Sequence, residues 1–216
     1  MSHLHIPDGV LPWDVWVPGL AVALLLLVLS AHSLRAATRQ TVAYQGGLAA
    51  LVVAVMAIEV PLGPLEYHLT LLGPVGVLLG PAAVFQVAFV ASAILALVGH
   101  GGLTVVGLNA LVLGSGAALA RPVYARLSRR LPVAPSMALA TAAAQALSGA
   151  LWLAVVGASL RFGAAGHARL GLLAGIAFPL WIAGVVVESA VAFGIARFVS
   201  RVRPDLLPAA TPAGAR

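Results

Sequence analysis

Apolar residues run through the chain in seven long blocks, at roughly 15–34, 42–60, 69–80, 81–99, 103–120, 135–160 and 172–199. Polar, charged or glycine- and proline-rich breaks separate them. Blocks of about twenty apolar residues match the hydrocarbon layer of a bilayer when coiled as helices. The third block is too short to cross it at about 1.5 Å per residue. Together with the fourth it runs through Gly73-Pro74, Gly76 and Gly80-Pro81. Broken backbone survives at membrane depth only where protein or a cavity surrounds it. A count of six spans, with 69–99 as one kinked helix plus a re-entrant stretch, is the alternative to seven.

Composition turns this pattern into a class. The 216 residues are 62% hydrophobic and only 8% charged, with a mean hydropathy of +1.07. A soluble domain is about 25% charged, so the bilayer is the solvent for most of this surface. The expectation is an all-α polytopic membrane protein forming one membrane domain over 1–216. Residues 1–14 lead in, 15–199 form the helical bundle and 200–216 form a tail. The formal charge is +6, and every cation is an arginine. Arg35, Arg39, Arg121, Arg126, Arg129, Arg130, Arg197, Arg201, Arg203 and Arg216 fall in the loops at 35–41 and 121–134, in the tail, or at the span ends beside them. With seven spans and the N-terminus outside, all ten lie inside, and only Arg161 and Arg169 lie outside. That asymmetry follows the positive-inside rule; six spans divide the charge less cleanly. The same placement explains the basic balance without nucleic acid.

Several chemistries are unsupported. There is no cysteine, hence no disulfide, thiolate site or thiol nucleophile. Met1–Trp13 lacks the basic region of a cleavable signal. Neither HExxH nor GxxxxGK[ST] occurs. If the chain transports actively, an ion gradient or another subunit supplies the energy.

The orientation sorts the candidate ligands. His3, His5, Asp8, Asp14, Glu66, His68, His100 and His167 fall on the outer side, with Glu59 at an outer span end; only His32 lies inside. Pro7, Gly9 and Pro12 prevent a regular helix before Trp13 and Trp16, which suit a membrane interface. A free N-terminal amine, an amide nitrogen and an imidazole can together chelate Ni(II), Cu(II) or cobalt; a tail without structure is an equal reading of His3 and His5. His68 stands where a loop enters the broken short helix, and ionisable groups at such breaks mark functional sites. His100 lies in Gly99-His-Gly-Gly-Leu-Thr104, ahead of Asn109 inside a span. Asn109 reads equally as helix–helix glue or as support for a ligand. Glu188, mid-span, must pair or be protonated. Small residues at Gly46-Gly47, Ala49-Ala50, Gly114-Ser115-Gly116 and 138–146 read mostly as internal packing, with a minority facing another subunit.

The opening Leu4-His-Ile-Pro-Asp-Gly-Val-Leu11 resembles the start of the CbiM/NikM family, the substrate-binding membrane subunits of energy-coupling-factor transporters for cobalt or nickel. The resemblance continues through His68-Leu-Thr-Leu-Leu-Gly-Pro-Val-Gly-Val-Leu-Leu-Gly-Pro81, Gly99-His-Gly-Gly-Leu-Thr-Val-Val-Gly-Leu-Asn109, Glu188 and Arg201-Val-Arg-Pro-Asp-Leu-Leu207, covering essentially the whole chain. It implies a seven-helix bundle in the bacterial cytoplasmic membrane that captures the ion from outside in a planar, all-nitrogen site. Carried over, His5 supplies amide and imidazole nitrogens and His68 a remote imidazole. Implied partners are a T-type membrane subunit, ATP-binding-cassette ATPase subunits and a small two-helix accessory subunit. No resident cofactor is implied, and Ni(II) or Co(II) is the cargo.

Two departures stand out. The family's histidine is second in the chain, whereas here it is fifth and follows Leu4. Three starts accommodate this. Translation begins at Leu4, placing the amine beside His5; Met1 is removed, placing it on Ser2 beside His3; or Met1 stays, and His3 completes a self-contained chelate. His100 stands where family members more often carry Asp, which leaves its part as a ligand open. Beside the transport reading stand two others. One is a membrane metalloenzyme using His5, His68 and His100 with Glu59 or Glu66 as base; the other is an assembly protein that binds no metal.

Overall fold

The computed structural model describes residues 5–62, 65–160 and 166–208. Met1, Ser2, His3 and Leu4 therefore lie outside the described residues, as do Arg161, the side chains of Glu66, His167 and Arg169, and Arg216 in the tail. The chain is helical: α1 (Trp13–Ser33), α2 (Arg39–Met56), α3 (Leu72–Leu79), α4 (Pro81–Leu97), α5 (Val106–Leu127), α6 (Val133–Leu160) and α7 (Gly166–Val202). Four of these, α1, α5, α6 and α7, include stretches both long and apolar enough to cross a membrane. A single-turn helix at Pro204–Leu206 follows α7.

The apolar blocks locate the helices but not their ends. Helix α5 runs on through Arg121, Pro122 and Arg126 to Leu127, because polar residues continue a helix once its buried face is committed. Thr38 starts α2 ahead of its apolar block, its Oγ1 accepting from the Thr41 amide at 3.2 Å. The block at 42–60 also overruns the helix. Beyond Met56 the chain leaves α2 and forms a hairpin, β1 (Val60–Leu62) against β2 (Leu65–Tyr67), antiparallel with Val60 opposite Tyr67. This short pairing was not expected from the sequence.

Helix α3 explains the broken third block. It spans about 12 Å at 1.5 Å per residue, and six of its eight residues are buried. It ends at Gly80, whose φ of +84° suits glycine and turns the chain into α4. Residues 72–79 and 81–97 are thus two helices rather than one kinked helix. A Cβ on Gly76 would overlap the Ala117 carbonyl oxygen, and one on Gly73 would meet the Thr141 side chain at 2.6 Å. The glycines let α3 lie directly on α5 and α6. Gly116 does the same for α5 against α6, since a methyl there would overlap Ser148 Oγ and the Ala144 carbonyl oxygen. These small residues serve internal packing. Gly46 and Gly47 differ, since nothing lies within 4 Å of a Cβ on either.

The bundle has two chemically distinct ends. At one, Arg121 lies against Gly80, and Arg203 and Asp205 lie near enough to Tyr44 of α2 to interact electrostatically. At the other, the lead-in folds back into the bundle. Ile6 and Leu11 are buried with Val105 and Leu108 of the α5 region and Val156 of α6.

Candidate metal centre

The lead-in is held by polar contacts that a tail without structure would not make. Asn109 grips the Ile6 peptide on both sides. Its Oδ1 accepts from the Ile6 amide at 2.9 Å, and its Nδ2 donates to the Ile6 carbonyl at 3.1 Å. Asn109 is buried, so its amide spends its polar capacity on the segment carrying His5. Asp8 forms the second clamp. Its carboxylate accepts from the Leu103 amide at 2.9 Å, the Thr104 amide at 2.9 Å and the Thr104 hydroxyl at 2.5 Å. The Thr104 hydroxyl bond, the largest influence, holds the Asp8 carboxyl below its usual range; burial opposes it, and the backbone donors add to the lowering. Gly102 has no room for a side chain, since a Cβ there would lie 2.5 Å from Asp8 Oδ1.

These clamps place His5 beside His68. The rings stack with centroids 5.0 Å apart, and His5 Nδ1 lies 3.2 Å from His68 Nε2. Both residues are buried, at 5% and 2% exposure. His68 sits in the extended stretch between β2 and α3. Burial, the largest influence, pushes its pKa below the ordinary histidine value, against weaker opposing contributions from the Leu69 backbone and Glu59. The ring is therefore neutral near pH 7, with a lone pair to give.

Glu188 supports this stretch from α7. Its carboxylate accepts from the Thr70 amide at 2.6 Å and the Thr70 hydroxyl at 3.0 Å. Gln145 of α6 donates to the same hydroxyl at 3.2 Å. Tyr67 reaches across to the Gly184 carbonyl at 3.3 Å. The residues on either side of His68 are thus tied to α6 and α7. Leu71, in the left-handed region at φ 55°, completes the turn into α3.

His100 is placed differently. Its Nε2 lies 3.1 Å from Glu59 Oε1, not on the His5–His68 pair. Among the described residues, no three His, Asp or Glu side chains converge on one point. The sequence reading missed the Asp8 clamp, the Thr70–Gln145 support and the partnership of Glu59 with His100. Only the first left a signal, a carboxylate directly before Gly9 in a segment with no helix to cap.

Asn109→Ala would leave the Ile6 amide and carbonyl unpaired in the interior, at a cost of about 1–3 kcal/mol. The expected result is a lower unfolding temperature in detergent together with weaker metal binding. Unchanged values for both would show that the clasp does not hold the segment.

Comparisons with known proteins agree with this architecture. No curated protein sequence matches the chain. A truncated transition metal transporter of known crystal structure superposes with a TM-score of 0.80 at 19% identity, over 91% of this chain and 98% of its own. A second transition metal transporter structure gives 0.80 at 19% identity, over 92% and 93%. At that identity the likeness establishes the fold. The family described as the cobalt uptake substrate-specific transmembrane region matches residues 5–206, beginning at His5 and running past α7. With a match of that extent, the chain belongs to the CbiM family of cobalt-uptake transmembrane proteins.

Proposed function

We propose that this chain is the ion-capturing subunit of an energy-coupling-factor transporter, taking up Ni(II) or Co(II) at the outer face of a bacterial cytoplasmic membrane. The observation that carries the reading is the buried pair His5 Nδ1 and His68 Nε2, 3.2 Å apart. Two nitrogens bound side by side to a first-row metal, each at about 2 Å, stand about 3 Å from one another. Nδ1 is also the atom through which a histidine closes a six-membered ring with its own amide nitrogen. A site using the His5 amide, His5 Nδ1 and His68 Nε2 needs one more nitrogen. A free amine on the preceding residue would complete it through a five-membered ring, which favours Leu4 as the first residue of the mature protein. An amine on Ser2 or Met1 with His3 is the other arrangement, and N-terminal sequencing of native protein separates the two.

All-nitrogen, planar ligation suits Ni(II) somewhat better than Co(II), although availability also governs what is loaded. No covalent chemistry is required of this chain. A T-type membrane subunit, ATP-binding-cassette ATPases and a small two-helix subunit would provide the energy and the inward release. The arginine-rich end of the bundle would face the cytoplasm. The test is titration of Ni(II) and Co(II) into purified, tag-free protein with its native start. Saturation at one ion per chain supports the reading, and no specific uptake of either ion overturns it.

The pH dependence follows from the same groups. Asp8 has a depressed pKa, so its clamp is fully present above the ordinary carboxylate range and is lost only as pH falls through the lowered value. Between pH 8 and pH 5 the clamp is constant. His68 stays neutral to below its ordinary titration range. Amine and amide nitrogens must shed protons to bind, so affinity should fall steadily with acidification across that window while the apo fold persists. Competition titrations at several pH values check this, and pH-independent affinity would contradict nitrogen-only ligation.

A further inference from the structure

We propose that Glu59 and His100 form an entry station, which holds a hydrated divalent cation briefly and passes it to the buried His5–His68 pair. The inference rests on the capture reading above and adds a second, shallower site to it. His100 Nε2 is 3.1 Å from Glu59 Oε1. With the ring proton on Nε2, facing the carboxylate, Nδ1 carries a bare lone pair. That Nδ1 is enclosed and has no hydrogen-bond partner among the described residues. An enclosed nitrogen without a partner is costly. An imidazole whose other N–H rests on a carboxylate is how proteins commonly present histidine to a metal.

The station lies in the right place. Its side chains are 33% and 23% exposed, whereas His5 and His68 are buried, so the pair as a whole lies nearer water, although His100 Nδ1 itself is enclosed and is reached as the glycine-flanked loop around it moves aside. Gly99 and Gly101, at φ +90° and +91°, shape the loop around His100. A Cβ on Gly101 would lie 3.8 Å from His5 Cβ and 3.5 Å from Asn109 Nδ2. The residue after His100 thus packs beside the buried site. Both Glu59 and His100 are near enough to act electrostatically on His68. A single imidazole with a carboxylate alongside leaves most of the ion's coordination positions to water. Such a site binds weakly and exchanges fast, as an antechamber must. Deep binding must displace amine and amide protons and is the slower event, so holding the ion nearby accelerates it.

The test is stopped-flow mixing of Ni(II) with wild-type protein, His100→Ala, His100→Gln, Glu59→Gln and, as a control, His68→Ala. The signal is the absorption band of the filled nitrogen site. The station predicts an association rate lowered about tenfold in His100→Ala and clearly lowered in Glu59→Gln, with the wild-type band still reached at the end. It also predicts that His100→Gln, which can still donate to Glu59 but lacks the ring nitrogen, stays slow. Wild-type rates in His100→Ala would overturn the proposal. So would recovery of the rate in His100→Gln, since the pair would then only brace two loops. A changed final band in His100→Ala would make His100 a ligand of the deep site and also overturn it. Failure of the capture reading is distinguishable, because wild-type protein itself would then show no band.

Discussion

His68→Ala should abolish tight binding of Ni(II) and Co(II), weakening it by at least about a hundredfold. Loss of a group that merely supports a metal ligand typically costs about 10–100-fold, and His68 is proposed to be a ligand itself. Its Nε2 lies 3.2 Å from His5 Nδ1 inside a site almost closed to water. No other described His, Asp or Glu converges there to replace it. His5→Ala should produce a comparable loss. Because the two rings serve one ion, the double variant should lose little beyond either single one. His32→Ala, at the opposite end of the bundle, serves as the control and should bind normally. Equilibrium competition with a coloured chelator reads all four. Retention of wild-type affinity in His68→Ala would move the site to a self-contained N-terminal chelate built on His3.

Gly76→Ala should be among the most damaging single-methyl changes to the fold. The added carbon would overlap the Ala117 carbonyl oxygen and stand 3.0 Å from its carbon and 3.3 Å from Ala120 Cβ. The obstacle is helix backbone, which has no rotamer to escape into. Helix α3 must move off α5, and overpacking of this kind costs about 1–3 kcal/mol or more. The damage should spread to the metal site, because the stretch carrying His68 leads straight into α3. Gly46→Ala provides the contrast. Nothing lies within 4 Å of its Cβ, and alanine favours a helix over glycine by up to about 1 kcal/mol. Thermal unfolding in detergent should therefore show a marked fall for Gly76→Ala and no fall for Gly46→Ala. Equal midpoints would mean that α3 does not pack as described.

The order of helices was readable because apolar run length reports burial in lipid directly, as at 81–99 and 135–160. Helix ends were less readable. Arg121 and Arg126 look like loop charges, yet α5 carries them: Arg126 is exposed, and Arg121 lies against Gly80 where α4 begins. The hairpin at 60–67 was hidden because Val60-Pro-Leu and Leu-Glu-Tyr67 are too short to show an alternating pattern. The arginine asymmetry gathered His5, His68, His100 and Glu59 at one end of the bundle but could not pair them. No local periodicity connects His5 to His68 across 63 positions, or Thr70 to Glu188 across 118. The first juxtaposition was expected only through the family resemblance. Asn109 shows the same limit, since either packing glue or support for a ligand fitted its place within a span, in what proves to be the first turn of α5. Its grip on the Ile6 peptide depends on where the lead-in folds back.

The central claim is that the ion is held by nitrogens from His5, His68 and the residue before His5. X-ray absorption on Ni(II)-loaded, tag-free protein with its native start tests it most directly. The account predicts a planar, nitrogen-only first shell with the scattering signature of two imidazoles. An oxygen-rich, six-coordinate ion, or a shell with a single imidazole, would contradict it.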